Sequence, residues 1–132
     1  LFQAEAKRCK KILDNIEKNP KESHFCIFDE LFSGTNPYEA IGSAFSYLDY
    51  ISKNRNVKFM LTTHYIKLCK ICKKNKEIQN YNMETFLQKD YQKYTYKLIS
   101  GISTIKGGIC VLRDLKFPSV ILKLTQKTIK KL

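Results

Sequence analysis

The first third of the chain alternates between helical and extended patterns of apolar residues. Over residues 2–16 the apolar positions recur every three or four residues, which is typical of an amphipathic helix. We expect that helix to end before Pro20, because a proline pushes the preceding residue out of the helical region. Residues 25–28 are apolar at successive positions, which predicts a strand buried on both faces, as in a parallel sheet. This strand ends in two adjacent carboxylates, Asp29 and Glu30.

A second helix and a second strand follow the acidic pair. Asn36 as N-cap, Pro37 at the first helical position and Glu39 at the third form a variant of the capping box. The helix turns its apolar residues inward: Ile41, Ala44, Phe45, Leu48 and Ile51. It ends near residues 54–56, and residues 57–61 predict the second strand. A strand, a helix and a strand of these lengths form a crossover unit, so both strands are expected to lie parallel in one sheet.

The pattern changes to a period of two in the second half of the chain. A short helix is predicted over residues 65–74, followed by strands over residues 77–88 and 91–100. Lys89-Asp90 would form the tight turn between these two strands, although it lacks the usual glycine.

Two further helices are predicted near the end of the chain. Gly107-Gly108 leads into a helix with Ile109, Leu112 and Leu115 inward, and Pro118 starts a helix that runs to the last residue. The predicted fold class is therefore α/β, with parallel strands, an appended antiparallel hairpin and flanking helices.

Lysine dominates the charge of the chain. The 132 residues include 24 Lys or Arg and 12 Asp or Glu, which gives a net charge of +12. One interpretation is a surface that contacts DNA, because cations gain affinity by displacing phosphate counterions. The other is a solvated lysine-rich surface, which the scatter of lysines through every segment and the scarcity of arginine favour. Both interpretations stay open.

Cysteine usage and hydropathy indicate the compartment. The five cysteines are odd in number, which suits a reducing intracellular compartment better than a disulfide framework. Cys69 and Cys72 have zinc-ligand spacing, but a structural zinc site usually needs a second pair, so packing is the favoured interpretation. No signal peptide and no run of about 20 apolar residues occurs, so no membrane partner is expected. Because the chain starts at Leu1 inside a helical pattern, we expect it to belong to a longer protein.

Three candidate site residues lie at strand ends, where open parallel sheets bind their ligands. Asp29 would hold the Mg²⁺ of a bound nucleoside triphosphate, largely through water. Glu30 would orient and polarise the water that attacks the terminal phosphate. His64, which follows the second strand, would stabilise the developing charge. The alternative, two carboxylates that merely cap or solvate the next turn, stays open on the residues alone.

In residues 24–39, HFCIFDELFSGTNPYE, an apolar strand ends in Asp-Glu and Gly-Thr follows. This stretch resembles the Walker B strand and D-loop of the MutS family of DNA mismatch-repair ATPases. Residues 62–65, TTHY, with Leu68 behind them, resemble its histidine switch. Residues 1–6 resemble the start of the helix that follows the family's signature loop. The family's closing segments are similar to Tyr96-Lys97-Leu98, Gly101, Gly108-Ile109 and residues 117–121. The combination is specific to MutS rather than to ABC transporters or SMC-type ATPases.

The resemblance implies that residues 1–132 are the C-terminal part of an ABC-like P-loop ATPase domain, with its Walker A motif upstream. ATP and Mg²⁺ would be the cofactors. Asp29 would be the Mg²⁺ carboxylate, Glu30 the hydrolytic base and His64 the phosphate sensor. The nucleotide-binding residues would be Asp29 and a loop that faces the partner subunit's nucleotide, formed by Ser33, Gly34, Thr35 and Asn36.

The loop departs from the pattern of bacterial mismatch sensors. Ser33 stands where they usually carry Arg, and Asn36-Pro37 replaces their pair of small hydroxyl residues. Together with Phe32, these differences indicate a divergent branch of the family.

The implied function is ATP hydrolysis that couples nucleotide state to the binding of mismatched double-stranded DNA by upstream domains. The implied protein partner is a second MutS-type subunit, in a homodimer or a heterodimer. One alternative is a non-repair member of the family, for example an anti-recombination, organelle-encoded or virus-encoded protein, with or without a fused nuclease. Another is a non-catalytic dimerisation module, against which the intact Glu30 and His64 argue.

The chain on its own is expected to bind ATP weakly or not at all and to be inactive. It contains no Gly-x-x-x-x-Gly-Lys-Ser/Thr sequence, and that loop supplies the backbone cradle and the lysine for the β- and γ-phosphates. Equilibrium dialysis of the 132-residue chain should detect no binding tighter than about 1 mM, and tight binding would contradict this account.

Overall fold

The computed structural model describes residues 1–88, 91–104 and 107–132. The chain divides into two compact units, Leu1–Asn80 and Tyr81–Leu132. The acidic pair and His64 all belong to the first unit, so the candidate site can be described within it.

The first unit has the predicted helix–strand–helix–strand–helix order. Its elements are α1 (Phe2–Lys18), β1 (His24–Asp29), α2 (Pro37–Ser52), β2 (Val57–Thr62) and α3 (Ile66–Cys72). Strands β1 and β2 pair in parallel, from His24 opposite Val57 to Asp29 opposite Thr62. The predicted parallel arrangement of the two strands is therefore confirmed.

The core of the first unit joins residues of α1, α2 and α3 to one face of this sheet. Ala40 and Ala44 of α2 are completely buried, and Leu48 and Ile51 are each 1% exposed. Of the residues predicted to face inward from α2, only Phe45 is half-buried rather than buried. Burial of such side chains is the main favourable contribution to folding.

Aromatic rings join the core to the segment after β1. The ring of Tyr47 meets the rings of Phe28 and Phe32 edge-on, at centroid distances of 5.8 and 6.4 Å. The Tyr47 hydroxyl donates to the carbonyl of Cys9 in α1 at 2.9 Å. Tyr47 thereby links α1, α2, β1 and the segment after β1.

The prediction that β1 is buried on both faces is wrong for this chain. Cys26 and Phe28 are buried, whereas Phe25 and Ile27 on the opposite face are 63% and 71% exposed. Met60 of β2, the register partner of Ile27, is 58% exposed. The core cluster of the described residues covers one face of the sheet, so the continuous apolar run does not correspond to two covered faces here.

The start of α2 is built as predicted, with one difference in detail. The side chain of Asn36 accepts a hydrogen bond from the backbone N–H of Glu39 at 3.0 Å, and Pro37 is the first helical residue. In a capping box the third helical side chain reaches back to the N-cap N–H. Here the Glu39 carboxylate instead accepts from the hydroxyl of Thr35 at 2.9 Å.

The second unit begins with an antiparallel hairpin, β3 (Tyr81–Gln88) and β4 (Tyr91–Ser100). Strand β3 starts four residues later than predicted because Asn75 forms a turn first: its side chain accepts from the N–H of Glu77 at 2.8 Å. The pairing is irregular between Met83 and Thr85. The turn predicted at Lys89-Asp90 lies outside the described residues.

Two helices complete the second unit, α4 (Gly108–Asp114) and α5 (Ser119–Lys131). Ile109 and Leu112 are half-buried, but the prediction that Leu115 faces inward is wrong, since it is 66% exposed. Helix α4 ends one residue earlier, and Lys116 takes a left-handed conformation (φ 59°) that closes the helix. In the described ranges no helix is both long enough and apolar enough to cross a bilayer.

Candidate functional site

The candidate site lies at the carboxyl end of the parallel strand pair. Asp29 is the last residue of β1 and faces Thr62, the last residue of β2, across the sheet. The backbone N–H of Glu30 donates to the carbonyl of Thr62 at 2.9 Å, so the pairing continues one residue beyond the strand. His64 follows two residues after Thr62. The parallel register thus holds the segments that carry the three residues at one edge of the sheet.

Glu30 and His64 are in contact. The Oε1 atom of Glu30 lies 3.3 Å from the Nε2 atom of His64, and the two side chains are 40% and 93% exposed. Glu30 has a left-handed backbone (φ 58°), which interrupts the strand alternation that continues as far as Asp29. Because both side chains reach solvent, they are accessible to a ligand at this edge.

Asp29 has a partner that sequence reasoning missed. The hydroxyl of Thr62 donates to Oδ1 of Asp29 at 2.5 Å, and both side chains are exposed. Side chains of register partners in a sheet lie on the same face. The predicted second strand ended at residue 61, so only the observed register of the two strands places Thr62 beside Asp29.

His64 lies on a short turn between β2 and α3. The hydroxyl of Thr63 accepts from the N–H of Tyr65 at 3.0 Å, and the carbonyl of His64 accepts from the N–H of Ile66 at 3.1 Å. Leu68, 2% exposed, anchors α3 in the core immediately after this turn. The backbone at His64 is consequently fixed, while its ring extends into solvent.

The loop after the acidic pair is attached to the first turn of α1. Leu31 and Phe32 are buried, and Phe32 has a left-handed backbone (φ 58°). Its N–H donates to the carboxylate of Glu5 at 2.9 Å, across 27 positions of sequence. Glu5 is the second residue that sequence reasoning missed, because no local pattern connects a helix to a loop so distant in the chain.

The four loop residues predicted to bind nucleotide fall into two pairs. Ser33 and Gly34 are exposed, and a side chain at Gly34 would approach the backbone nitrogen of Phe2 to 3.0 Å, which explains the glycine. Thr35 and Asn36 are engaged in the start of α2 through their bonds to Glu39. The structure places all four in one loop between Glu30 and α2.

The paired cysteines of α3 are packing residues. Cys72 is 3% exposed and belongs to the core, and burial raises its pKa from the ordinary value of 9.0 to about 11. Cys69 is half-buried, and burial also raises the pKa of its thiol. Within the described ranges, no group of three or more His, Cys, Asp or Glu side chains is placed to hold a metal ion.

The fold and the site together define a class of protein. It is an α/β module that presents carboxylates and an imidazole at the carboxyl ends of neighbouring parallel strands, the edge where such proteins bind their ligands. The chain belongs to the MutS family: the family's domain V matches residues 1–132. The family predicted from the sequence motifs is thus confirmed.

Curated relatives carry two kinds of name. A DNA mismatch repair protein MutS from Flavobacterium psychrophilum is 29% identical over 132 residues, covering 99% of this chain and 15% of the relative. One from Aquifex pyrophilus is 29% identical over 120 residues, covering 91% and 14%. An Endonuclease MutS2 from Clostridium kluyveri is 33% identical over 115 residues, covering 87% and 14%. The chain thus spans about one seventh of the length of these relatives.

The raised pKa of Cys72 predicts a loss of stability at alkaline pH. A thiol with a higher pKa in the folded state stabilises the fold below pH 9 and loses that contribution as the pH rises towards 11. The free energy of unfolding of the wild type, relative to Cys72→Ala, should fall by about 2 kcal/mol between pH 8 and pH 11.

Urea denaturation followed by circular dichroism measures this difference. Leu68→Ala is the control, because it removes a buried side chain of the same helix that does not titrate. The difference between wild type and Leu68→Ala should be the same at both pH values. An equally constant difference for Cys72→Ala would contradict the prediction.

Proposed function

We propose that the protein containing this chain is an ATP-hydrolysing DNA mismatch-repair protein and that the chain forms the C-terminal part of its P-loop ATPase domain. The observation that carries the proposal is the contact between Glu30 and His64 at the carboxyl end of a parallel strand pair in a MutS-family chain. The half of the domain that would grip the β- and γ-phosphates has no counterpart in these 132 residues.

Asp29 suits a Mg²⁺ ion that travels with the nucleotide. Mg²⁺ prefers oxygen ligands, keeps several waters and needs only one or two protein carboxylates. Asp29 is exposed and offers such a carboxylate, and the bond from Thr62 engages one of its two oxygens. When bound, the ion would neutralise charge on the phosphates. Asp29 would hold the ion's water shell, and Thr62 would keep the carboxylate in one orientation.

Glu30 is the proposed hydrolytic base. Its carboxylate would orient the attacking water and accept its proton. The contact with His64 limits the orientations of this carboxylate at the edge of the sheet. The imidazole is not packed into the core, so it can turn from Glu30 towards a phosphate and donate a hydrogen bond to the charge that develops there.

The loop and the remaining domains complete the proposed function. Ser33 and Gly34 are exposed, which leaves them available to the nucleotide of a second MutS-type subunit in a homodimer or heterodimer. Thr35 and Asn36 would contribute mainly by holding the loop in shape through their hydrogen bonds to Glu39, and less by direct contact with the nucleotide. ATP binding and hydrolysis would then be coupled, inside the cell, to mismatched DNA held by other domains.

A nuclease-associated, non-repair role is the second candidate. It is favoured by the Endonuclease MutS2 relative, which is 33% identical to the chain over 115 residues. Electrophoretic mobility shifts of the full-length protein separate the two roles. Preference for a G·T mismatch over matched duplex supports repair, whereas equal binding together with strand cleavage supports the second role.

Glu30→Gln in the full-length protein should lower ATP turnover by a factor on the order of 10²–10⁴ while leaving ATP binding intact. The physical reason is that an amide retains the shape of the side chain but cannot accept the proton. Single-turnover hydrolysis and equilibrium binding of ATP measure the two effects separately.

Glu22→Gln is the matched control, because Glu22 is an exposed glutamate two residues before the amino end of β1. It should leave turnover unchanged. A loss of less than about threefold for Glu30→Gln would remove Glu30 from the role of base.

Thr62→Val should raise the Mg²⁺ concentration that gives half-maximal turnover by about 10-fold, since groups that orient a metal ligand contribute to metal affinity. Valine keeps the branched shape but cannot donate to Asp29, whereas Thr62→Ser keeps the hydroxyl and should behave like the wild type. A Mg²⁺ titration of ATP hydrolysis measures the shift. Identical titrations for the valine and serine variants would contradict a role for the hydroxyl.

A further inference from the structure

The segment that follows Glu30 is pinned to the first turn of α1 by three separate contacts. The carboxylate of Glu5 accepts from the N–H of Phe32 at 2.9 Å. The rings of Phe2 and Phe32 lie 5.7 Å apart with their planes tilted by 59°. Gly34 approaches the backbone of Phe2 so closely that an added side chain would lie 3.0 Å from its nitrogen. Helix α1 therefore acts as the support of the loop.

This support holds a backbone that is unfavourable in isolation. Glu30 and Phe32 both have φ of 58°, a left-handed conformation that residues with a side chain rarely adopt. Such conformations persist only where the surroundings over-determine them. Here the N–H of Glu30 is bonded to the carbonyl of Thr62, and the N–H of Phe32 is bonded to Glu5. One hydrogen bond thus fixes each of the two strained residues.

The side chain of Phe32 has its own anchor, so Glu5 is not needed to bury it. The ring of Phe32 packs against the ring of Tyr47 at 6.4 Å, and Phe32 is 6% exposed. The hydrogen bond that the Phe32 N–H donates to Glu5 instead fixes the orientation of the peptide between Leu31 and Phe32, one residue beyond Glu30. This hydrogen bond therefore affects the direction of the backbone next to Glu30, the proposed base, rather than the hydrophobic packing of Phe32.

We infer that Glu5 is a positioning residue for Glu30, through which the first turn of α1 controls the geometry of the hydrolytic carboxylate. The inference rests on the proposed function, in which Glu30 is the base. Without the acceptor on Glu5, the backbone of Phe32 can relax from its left-handed conformation. The bond to Thr62 then holds Glu30 from the strand side alone, and its carboxylate loses its fixed orientation towards His64. Any shift of the first turn of α1 would reach Glu30 by the same route.

Three variants of the full-length protein test the inference. Glu5→Ala removes the acceptor, and Glu5→Gln keeps an acceptor oxygen but removes the charge. The matched control is Glu17→Ala, which removes another glutamate of α1 that accepts one bond from a different element, the hydroxyl of Tyr50 at 2.8 Å.

Hydrogen exchange measured by mass spectrometry is the readout that does not depend on activity. In Glu5→Ala, peptides that cover residues 30–34 should exchange about 10-fold faster, because the Phe32 amide loses its hydrogen-bond acceptor. Peptides from α2 should exchange at the wild-type rate, which shows that the fold is intact. Glu5→Gln and Glu17→Ala should exchange like the wild type at residues 30–34.

ATP turnover gives the second readout. Glu5→Ala should lower kcat by about 10-fold with KM for ATP unchanged within about twofold, because a displaced base slows the chemical step without weakening binding. Glu5→Gln should restore kcat to within about threefold of the wild type.

Several results would overturn the inference. Unchanged exchange at residues 30–34 in Glu5→Ala would show that the bond does not hold the loop. Faster exchange with unchanged kcat would show that the loop does not position Glu30. Equal impairment of Glu5→Gln and Glu5→Ala would assign the effect to charge instead of to the acceptor. Failure of the proposed function would be seen separately, as unchanged turnover in Glu30→Gln.

Discussion

The parallel pairing of β1 with β2 is the constraint on which the candidate site depends. Its register sets Asp29 opposite Thr62 and continues one bond further, to the N–H of Glu30. A shift of one residue would turn Asp29 to the other face and separate it from the Thr62 hydroxyl. The register is in turn set by burial, since Cys26 and Phe28 must lie on the covered face.

A second constraint acts directly after the strand. The chain must leave β1, bury Leu31 and Phe32 and begin α2 at Pro37, within a few residues. It does so with two left-handed residues, Glu30 and Phe32, and the cost of that geometry is met by contacts from β2 and α1. The candidate base therefore lies at a strained position, which is where functional residues concentrate.

Much of the first unit could be predicted because its signals are local. Helix α2 begins at Pro37, and Asn36 is its N-cap, as the sequence predicted. The proximity of Glu30 and His64 follows from topology, because parallel strands present their carboxyl ends at the same edge. The hydrogen-bond partners of the site, Thr62 for Asp29 and Glu5 for Phe32, could not be predicted from such local signals. Thr62 requires the register, and Glu5 requires the docking of α1 against a loop 27 positions away.

The sequence by itself determined the order of helices and strands, the family and the residues that carry the candidate chemistry, because each depends on periodicity, capping or short motifs. The tertiary structure alone decided which face of β1 is covered, which partner orients Asp29 and what holds the loop after Glu30. The physical reason is the distance along the chain over which each interaction acts. Periodicity and capping act within one or two turns of chain, whereas burial and side-chain hydrogen bonds join residues that only packing brings together.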